Sequence, residues 1–381
     1  MRILFTGGGT GGHIFPIIAV ARQLKKNYQE SVEPIGPGRE TILEMFFLGS
    51  NGFAKNLLEK EGIEVRIILS GKFRRYFSIY NFLDMFKIPI GILQCLWSLY
   101  FLMPDVIFSK GGYGSVPVVL VAWLYRIPVL THESDVLPGL ANRLAARLSK
   151  TIAVSFAAAK KHFPNNKTVL IGNPIRSEVV QICLSLGKES KEKTRNIFKI
   201  ISQKPVILIL GGSQGAEKIN DLVISSLFKL LEKYEVIHQC GEKNYDSIIK
   251  KMDQLPVSYH VYPFLSEKQI SLAYYLSDLI VSRAGAGSIS EIAACGKPSI
   301  LIPLPKSASG HQRENAFNYA KTGATVILEH LNLTPHLFIN EINKILDNPE
   351  LSQKMSNNAK EFSRPEAAQE IARKIVEMGR I

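Results

Sequence analysis

The sequence predicts an α/β protein built from two doubly wound parallel-sheet domains, and three observations carry that expectation. Short apolar runs alternate with helical stretches along all 381 residues, the pattern of parallel strands joined by helical crossovers. The pattern also stops and restarts: Gly172-Asn173-Pro174 closes one series, and Val206-Ile207-Leu208-Ile209-Leu210 opens another. Each series, finally, carries a glycine-rich loop directly behind its first apolar run. Gly7-Gly8-Gly9-Thr10-Gly11-Gly12-His13 follows Ile3-Leu4-Phe5, and Gly211-Gly212-Ser213-Gln214-Gly215-Ala216 follows Leu210. A strand that turns on glycines into a helix points backbone N–H groups at an anion, with the helix dipole helping. Two such loops predict two domains facing one cleft and handling two phosphate-bearing substrates.

In chain order, strands are expected at residues 3–6, 46–48, 65–69, 106–109, 129–132, 151–154 and 168–171, with helices at 14–26, 116–124 and 139–148. Residues 27–44 hold Pro34 and Pro37 and read as an irregular surface excursion. The charged stretch 187–196 reads as a solvated loop or helix end. The second series places strands at 206–210, 235–238, 260–262, 278–282, 299–303 and 325–327, and residues 365–381 form one amphipathic helix.

The charge is uneven. Lys and Arg number 46 against 33 acidic residues, and residues 1–175 hold 20 basic and 11 acidic side chains, so most of the excess lies in the first half. Such a bias implies an anionic partner, a nucleic acid or an acidic membrane surface. The four cysteines are scattered without a CxxC pattern, which argues against a zinc site or a disulfide scaffold and fits a reducing compartment. Arg2-Ile3-Leu4-Phe5 enters a strand at once, without the pattern of a signal peptide, so a cytoplasmic location is expected.

Several segments carry chemistry. His13 falls at a helix start, where the dipole keeps an imidazole neutral and able to act as a base. Lys110-Gly111-Gly112-Tyr113-Gly114-Ser115 is a third glycine loop; with the first it makes two anion cradles in one domain, which suits a diphosphate. His132-Glu133-Ser134-Asp135 ends another apolar strand, where side chains line the ligand crevice of a parallel sheet, and Asn142 follows two turns on. Arg283-Ala284-Gly285-Ala286-Gly287-Ser288 allows close backbone approach, and Glu291 lies a turn further, suited to vicinal hydroxyls. His311-Gln312-Arg313-Glu314-Asn315 is rich in groups that grip sugar hydroxyls. No histidine stands at metal-ligand spacing, so no metal is expected. Residues 88–103 are almost uncharged yet too short to span a bilayer. Two readings stand, a buried core helix or an apolar face dipping into a bilayer. Lys72, Arg74 and Arg75 upstream, with Arg143, Arg147 and Lys150 on a later helix, favour membrane contact.

The segments GGGTGGHIFP (7–16), GGYGSVP (111–117), HESD (132–135), GNPIR (172–176), GGSQGA (211–216), RAGAGSISEI (283–292) and HQRENA (311–316) together resemble, collinearly over nearly the whole chain, the MurG family. These are bacterial UDP-N-acetylglucosamine:lipid I N-acetylglucosaminyltransferases of peptidoglycan synthesis. The resemblance implies the GT-B fold, two Rossmann-like doubly wound domains facing a deep cleft. Residues 1–172 with 364–381 would form the acceptor and membrane-associating domain, and 173–363 the donor domain. It assigns the UDP-sugar donor to Ser213, Gln214, Ala286, Gly287, Ser288, Glu291, Phe264, Leu265, His311, Gln312, Asn315 and Arg176, with Thr10, Gly11, Gly12 and Asn142. Gly8, Gly9, Gly111, Gly112, Tyr113 and Gly114 would meet the acceptor diphosphate, and His13, His132 and Glu133 are the candidate catalytic groups. No cofactor is implied. The implied partners are UDP-N-acetylglucosamine, lipid I, an anionic membrane surface at the cytoplasmic face of the cell membrane, and other cell-wall enzymes, with no nucleic acid. Ser134 and Asp135 depart from the amide pair the family can carry there.

Three other classes compete. A different GT-B enzyme, such as a UDP-sugar 2-epimerase, would need no membrane-facing patch. A dinucleotide-dependent dehydrogenase is open because Gly7, Gly9 and Gly12 fit GxGxxG, but Phe46-Phe47-Leu48 runs into Gly49-Ser50 without the acidic residue that holds a ribose. A basic nucleic-acid binder lacks a recognisable module.

Overall fold

The computed structural model describes residues 1–8, 11–31, 43–49, 55–71, 79–185, 189–211, 217–252, 254–305 and 310–379. The chain forms two units, Met1–Ile175 with Glu366–Ile381, and Arg176–Pro365.

The first unit alternates β1 (Arg2–Thr6), α1 (Gly11–Ser31), β2 (Glu44–Gly49), α2 (Lys55–Lys60), β3 (Glu64–Ile67), α3 (Ile79–Leu102), β4 (Val106–Ser109), α4 (Val116–Leu124), β5 (Val129–Glu133), α5 (Leu140–Leu148), β6 (Thr151–Val154) and β7 (Thr168–Leu170). The strands form one sheet in the order β3-β2-β1-β4-β5-β6-β7, parallel throughout. Central strands covered on both faces must be apolar along their whole length, and β1 and β4 satisfy this: Ile3, Leu4, Phe5, Val106, Ile107 and Phe108 are all fully buried. The strand order reverses between β1 and β4. Both strands therefore open onto a crevice at their carboxyl ends, the place where open α/β sheets bind ligands.

The second unit repeats the plan with α6 (Ser177–Ser185), α7 (Glu189–Ile197), β8 (Val206–Leu210), α8 (Glu217–Leu231), β9 (Glu235–Gln239), α9 (Glu242–Lys250), β10 (Tyr259–Tyr262), α10 (Glu267–Leu276), β11 (Leu279–Ser282), α11 (Ala286–Ala294), β12 (Ser299–Leu301), α12 (His311–Ala320), β13 (Thr325–Ile327), α13 (Pro335–Leu346) and α14 (Pro349–Phe362). Its sheet runs β10-β9-β8-β11-β12-β13, again parallel. Its reversal falls between β8 and β11.

The last helix, α15 (Ala367–Gly379), belongs to the first unit. Ala367, Ile371, Ala372, Ile375 and Met378 share one face and are buried against Ile3, Phe5, Ile17 and Val106. Each buried isoleucine contributes roughly 1.5–3 kcal/mol.

Every predicted strand is present. Two expectations are corrected and one is narrowed. Helix α1 continues to Ser31, so residues 27–31 are helical where the sequence predicts an irregular segment; residues 32–42 of that excursion lie outside the described residues. Of the two readings of the charged stretch 187–196, a solvated loop or a helix end, the helical one holds from Glu189 as α7, and it is not wholly solvated: Thr194 is buried, and Arg195 donates to the Ser202 and Lys204 carbonyls at 2.5 and 3.1 Å. The cysteines are not all unpaired. Cys183 on α6 and Cys295 at the end of α11 form a disulfide, with Cα atoms 5.1 Å apart. The two are 112 residues apart in sequence, and the packing of α6 beside α11 brings them together, which no local spacing shows.

Candidate functional site

In the first unit the glycine loops behind β1 and β4 touch. A side-chain carbon on Gly112 would sit 2.8 Å from the Gly8 Cα, and one on Gly8 would sit 2.6 Å from His13 Nδ1. Gly111 and Gly112 both have φ near +85° (85° and 87°), where only glycine is unstrained. Asn142 packs against Gly111. The structure thus gathers Gly8, Gly111, Gly112, His13 and Asn142 at one switch point. Gly11 and Gly12 open α1, and Tyr113 and Gly114 lie in the short 3-10 turn before α4. Gly9 and Thr10 lie outside the described residues.

The end of β5 supplies the polar floor. The Glu133 carboxylate is buried and accepts three hydrogen bonds, from the Asp135 and Gly139 N–H groups at 3.0 and 3.2 Å and from Asn142 Nδ2 at 2.9 Å. Burial and the neighbouring Asp135 charge push its pKa up, against those bonds and Lys110. His132 is fully buried; its Nε2 donates to the Gly172 carbonyl at 2.8 Å, and burial with the Lys110 charge holds its pKa well below the usual imidazole value. His132 is thus fully packed and hydrogen-bonded through Nε2, whereas His13 keeps part of its surface exposed. Burial, then the Lys110 charge, push the His13 pKa down to about 4, with Asp135 opposing. His13 is neutral at pH 7 and can accept a proton.

Sequence reasoning missed Lys110 as a site residue. It is 1% exposed at the end of β4 and donates from Nζ to Ser134 Oγ, which donates in turn to Asn173 Oδ1 at 2.9 Å. Its partners lie 24 and, through Ser134, a further 39 residues along the chain. The one local signal was a lysine directly behind the short strand Val106-Ile107-Phe108-Ser109.

In the second unit Arg176, just before α6, reaches Glu291 on α11. Nε donates to Oε1 at 2.7 Å and Nη2 to Oε2 at 2.6 Å, a bidentate fork in a largely buried setting. Burial lowers the Arg176 pKa, but Glu291 more than restores it, so the guanidinium stays charged. The buried Tyr274 phenol, missed from sequence, also bonds Glu291, which with burial raises the Tyr274 pKa. Ala286, Gly287 and Ser288 form the first turn of α11, capped by Gly285. Asn315 is fully buried and donates to the Ala284 carbonyl at 3.4 Å, tying α12 to the loop before α11. Gln312 accepts from the Leu304 N–H at 3.1 Å, and His311 starts α12 behind Gly310. Phe264 is half exposed beside buried Leu265, whose N–H donates to Gln239 Oε1 at 3.1 Å. Ser213 and Gln214 lie outside the described residues. Asn142, expected with the donor groups, belongs to the Glu133 cluster of the first unit.

Helix α3 buries one face of the apolar segment and exposes the other. Cys95, Leu99 and Leu102 are buried on the sheet, while Leu93, Trp97, Tyr100 and Phe101 are exposed, Trp97 by 70%. Trp123 and Leu124 on α4 and Leu140 and Leu144 on α5 are exposed as well, with Arg126, Arg143, Arg147 and Lys150 among them in sequence. Lys72, Arg74 and Arg75 lie outside the described residues. Among the described residues no helix is long and apolar enough to cross a membrane.

Two parallel-sheet units of Rossmann type, each with a switch point at the carboxyl ends of its central strands, place the chain in the GT-B class of glycosyltransferase folds. Residues 3–154 match the glycosyltransferase family 28 N-terminal domain and residues 206–371 the family's C-terminal domain. The chain is 37% identical over 378 residues to a Bacillus cereus enzyme, with 99% of each chain covered. That enzyme is named UDP-N-acetylglucosamine--N-acetylmuramyl-(pentapeptide) pyrophosphoryl-undecaprenol N-acetylglucosamine transferase 2. A Clostridium perfringens transferase of the same name without the numeral is 39% identical over 360 residues, 93% of this chain and 94% of that one. The crystal structure of Acinetobacter baumannii MurG superposes with a TM-score of 0.74 at 27% identity, covering 99% of both chains. A Neisseria meningitidis UDP-GlcNAc 2-epimerase reaches 0.68 at 17% identity and shares the fold. The chain belongs to the MurG family of glycosyltransferase family 28.

Proposed function

We propose that this chain transfers N-acetylglucosamine from UDP-N-acetylglucosamine to the 4-hydroxyl of the muramyl sugar of lipid I, forming lipid II with inversion at the anomeric carbon. The observation that carries this reading is the end-to-end match to transferases of that name. The donor belongs to the second unit: Glu291 takes the ribose hydroxyls, Ala286, Gly287 and Ser288 the phosphate and sugar, and His311, Gln312 and Asn315 the sugar side. Arg176 and the loop with Ser213 and Gln214 meet the diphosphate, and Phe264 and Leu265 wall the uracil. The acceptor diphosphate lies on Gly8, Gly111, Gly112 and Gly114 of the first unit.

Inverting transfer needs a base for the acceptor hydroxyl and charge stabilisation for departing UDP. Neutral His13 suits the first task, its neighbours Glu133 and Asn142 orienting the acceptor. The N-terminus of the helix behind β8 and the Arg176 guanidinium suit the second. The exposed apolar faces of α3, α4 and α5 with their arginines suit the surface of an anionic membrane, where the lipid tail of the acceptor remains; this makes the protein peripheral at the cytoplasmic face. Other cell-wall enzymes are natural neighbours there.

The test is to incubate the protein with radiolabelled UDP-N-acetylglucosamine and a lipid I analogue and count label in the lipid phase. Label entering lipid, with EDTA leaving the rate intact, supports the reading; label remaining on nucleotide overturns it.

A further inference from the structure

Lys110 poses a physical problem. An ammonium buried to 1% exposure carries a desolvation cost of several kcal/mol, and an apolar side chain at the end of β4 would fill the same place without it. What surrounds it explains its presence. Its Nζ donates to Ser134 Oγ, and the charges that act on it are Glu133 and Asp135 from the end of β5. His13 from α1 and His132 from β5 both feel it as a cation. Asp135 in turn acts on both Glu133 and His13. One cation thus stands among two carboxylates and two imidazoles, one residue before the glycine pair that touches Gly8.

We propose that Lys110 is a positioning residue of the acceptor side, its ammonium fixing the 133–135 turn through Ser134 and balancing the Glu133 and Asp135 carboxylates within electrostatic reach of His13. The inference rests on the acceptor-side reading given above. Two consequences separate it from a merely structural role. Without Lys110, the buried Glu133 and the part-exposed Asp135 lose the cation that acts on both, which favours a proton on Glu133. His13 at the same time loses the cation that opposes its protonation and keeps the Asp135 charge that favours it, so it becomes more basic. The ammonium itself, pushed down to about 8 by burial, stays largely charged at neutral pH.

The experiment compares native protein with Lys110→Met, Asp135→Asn, the double variant and Ser134→Ala in the lipid-phase transfer assay across pH, with His13 followed by NMR titration. Lys110→Met is expected to lower kcat about tenfold or more, to leave KM for UDP-N-acetylglucosamine within about twofold, and to move the acid limb of kcat/KM to higher pH. Lys110→Met/Asp135→Asn, which removes both charges, recovers part of the loss and returns the limb toward its native position. Ser134→Ala lowers kcat without moving the limb. A Lys110→Met enzyme with native kcat and native pH profile, or single losses that simply add in the double variant, overturns the proposal. If the native protein itself transfers no label, the functional reading fails, and the His13 titration still decides on Lys110: an unchanged midpoint in Lys110→Met refutes it.

Discussion

Arg176 and Glu291 are 115 residues apart in sequence and locked together by two charge-assisted hydrogen bonds of 2.7 and 2.6 Å. The fork joins the start of α6 to the middle of α11, the helix whose first turn holds Ala286, Gly287 and Ser288. Removing one partner of such a pair leaves the other buried and uncompensated. Arg176→Met is expected to destabilise the second unit by about 3–5 kcal/mol and to weaken UDP binding, read by urea unfolding and calorimetric titration. Arg176→Met/Glu291→Met should recover stability but not UDP affinity, because it restores neutral packing without the polar group the ribose requires.

The contact between the first two glycine loops predicts a second outcome. Gly112 combines a φ of 87° with the Gly8 Cα 2.8 Å from where its Cβ would stand. Gly112→Ala therefore strains the backbone and forces the loops apart. Stability falls by roughly 1–3 kcal/mol, and KM for the lipid acceptor rises while UDP affinity, a property of the other unit, is kept.

Acid should destabilise both units through histidines held neutral. His13 is pushed down to about 4 by burial and Lys110, and His238 to about 3 by burial. His238 accepts at Nδ1 from the Tyr259 hydroxyl at 2.8 Å and faces Asn220 Oδ1 at 3.1 Å from Nε2; a proton on Nδ1 would break the first bond. In the unfolded chain both titrate near 6.5. Their contribution is complete above that pH and shrinks as pH falls toward 4, since the unfolded state binds protons the folded state refuses. Urea midpoints should fall steadily from pH 6.5 to 4.5 and be flat from 7 to 8.

The exposed face of α3 gives a prediction independent of the chemistry. Leu93→Glu/Trp97→Glu should cut partition onto vesicles containing phosphatidylglycerol by about tenfold or more and leave transfer to a short-chain, water-soluble acceptor unchanged. Retained vesicle binding would remove this face from the membrane account.

Much of the fold was legible because its strands are buried on both faces. Val206, Ile207, Leu208, Ile209 and Leu210 form an unbroken apolar run, and four of the five are fully buried. Such runs bounded by glycine leave little choice of register or type. The glycine loops were legible for the same local reason, and the MurG resemblance rested on their sequence neighbours. What sequence could not show depends on contacts distant along the chain. Lys110 looked like one more loop lysine, because Ser134 and Asn173 become its network only after β4 and β5 pair. Cys183 and Cys295 met only through the packing of α6 beside α11. Helix α7 reads from sequence as either a loop or a helix end because its charged face dominates the composition, while buried Thr194 and the following Phe198 hold it to the domain.

The central claim is that the sugar leaves UDP for the 4-hydroxyl of the acceptor with inversion, and the fold is shared with an epimerase that takes the same nucleotide sugar. Following the anomeric carbon decides between them. With carbon-13 at C1 of UDP-N-acetylglucosamine and a lipid I analogue present, NMR of the products should show the label β-linked to O4 of the muramyl sugar, with UDP released in equal amount. Label recovered as an epimerised UDP-sugar, or α-linked in the lipid, would contradict the account.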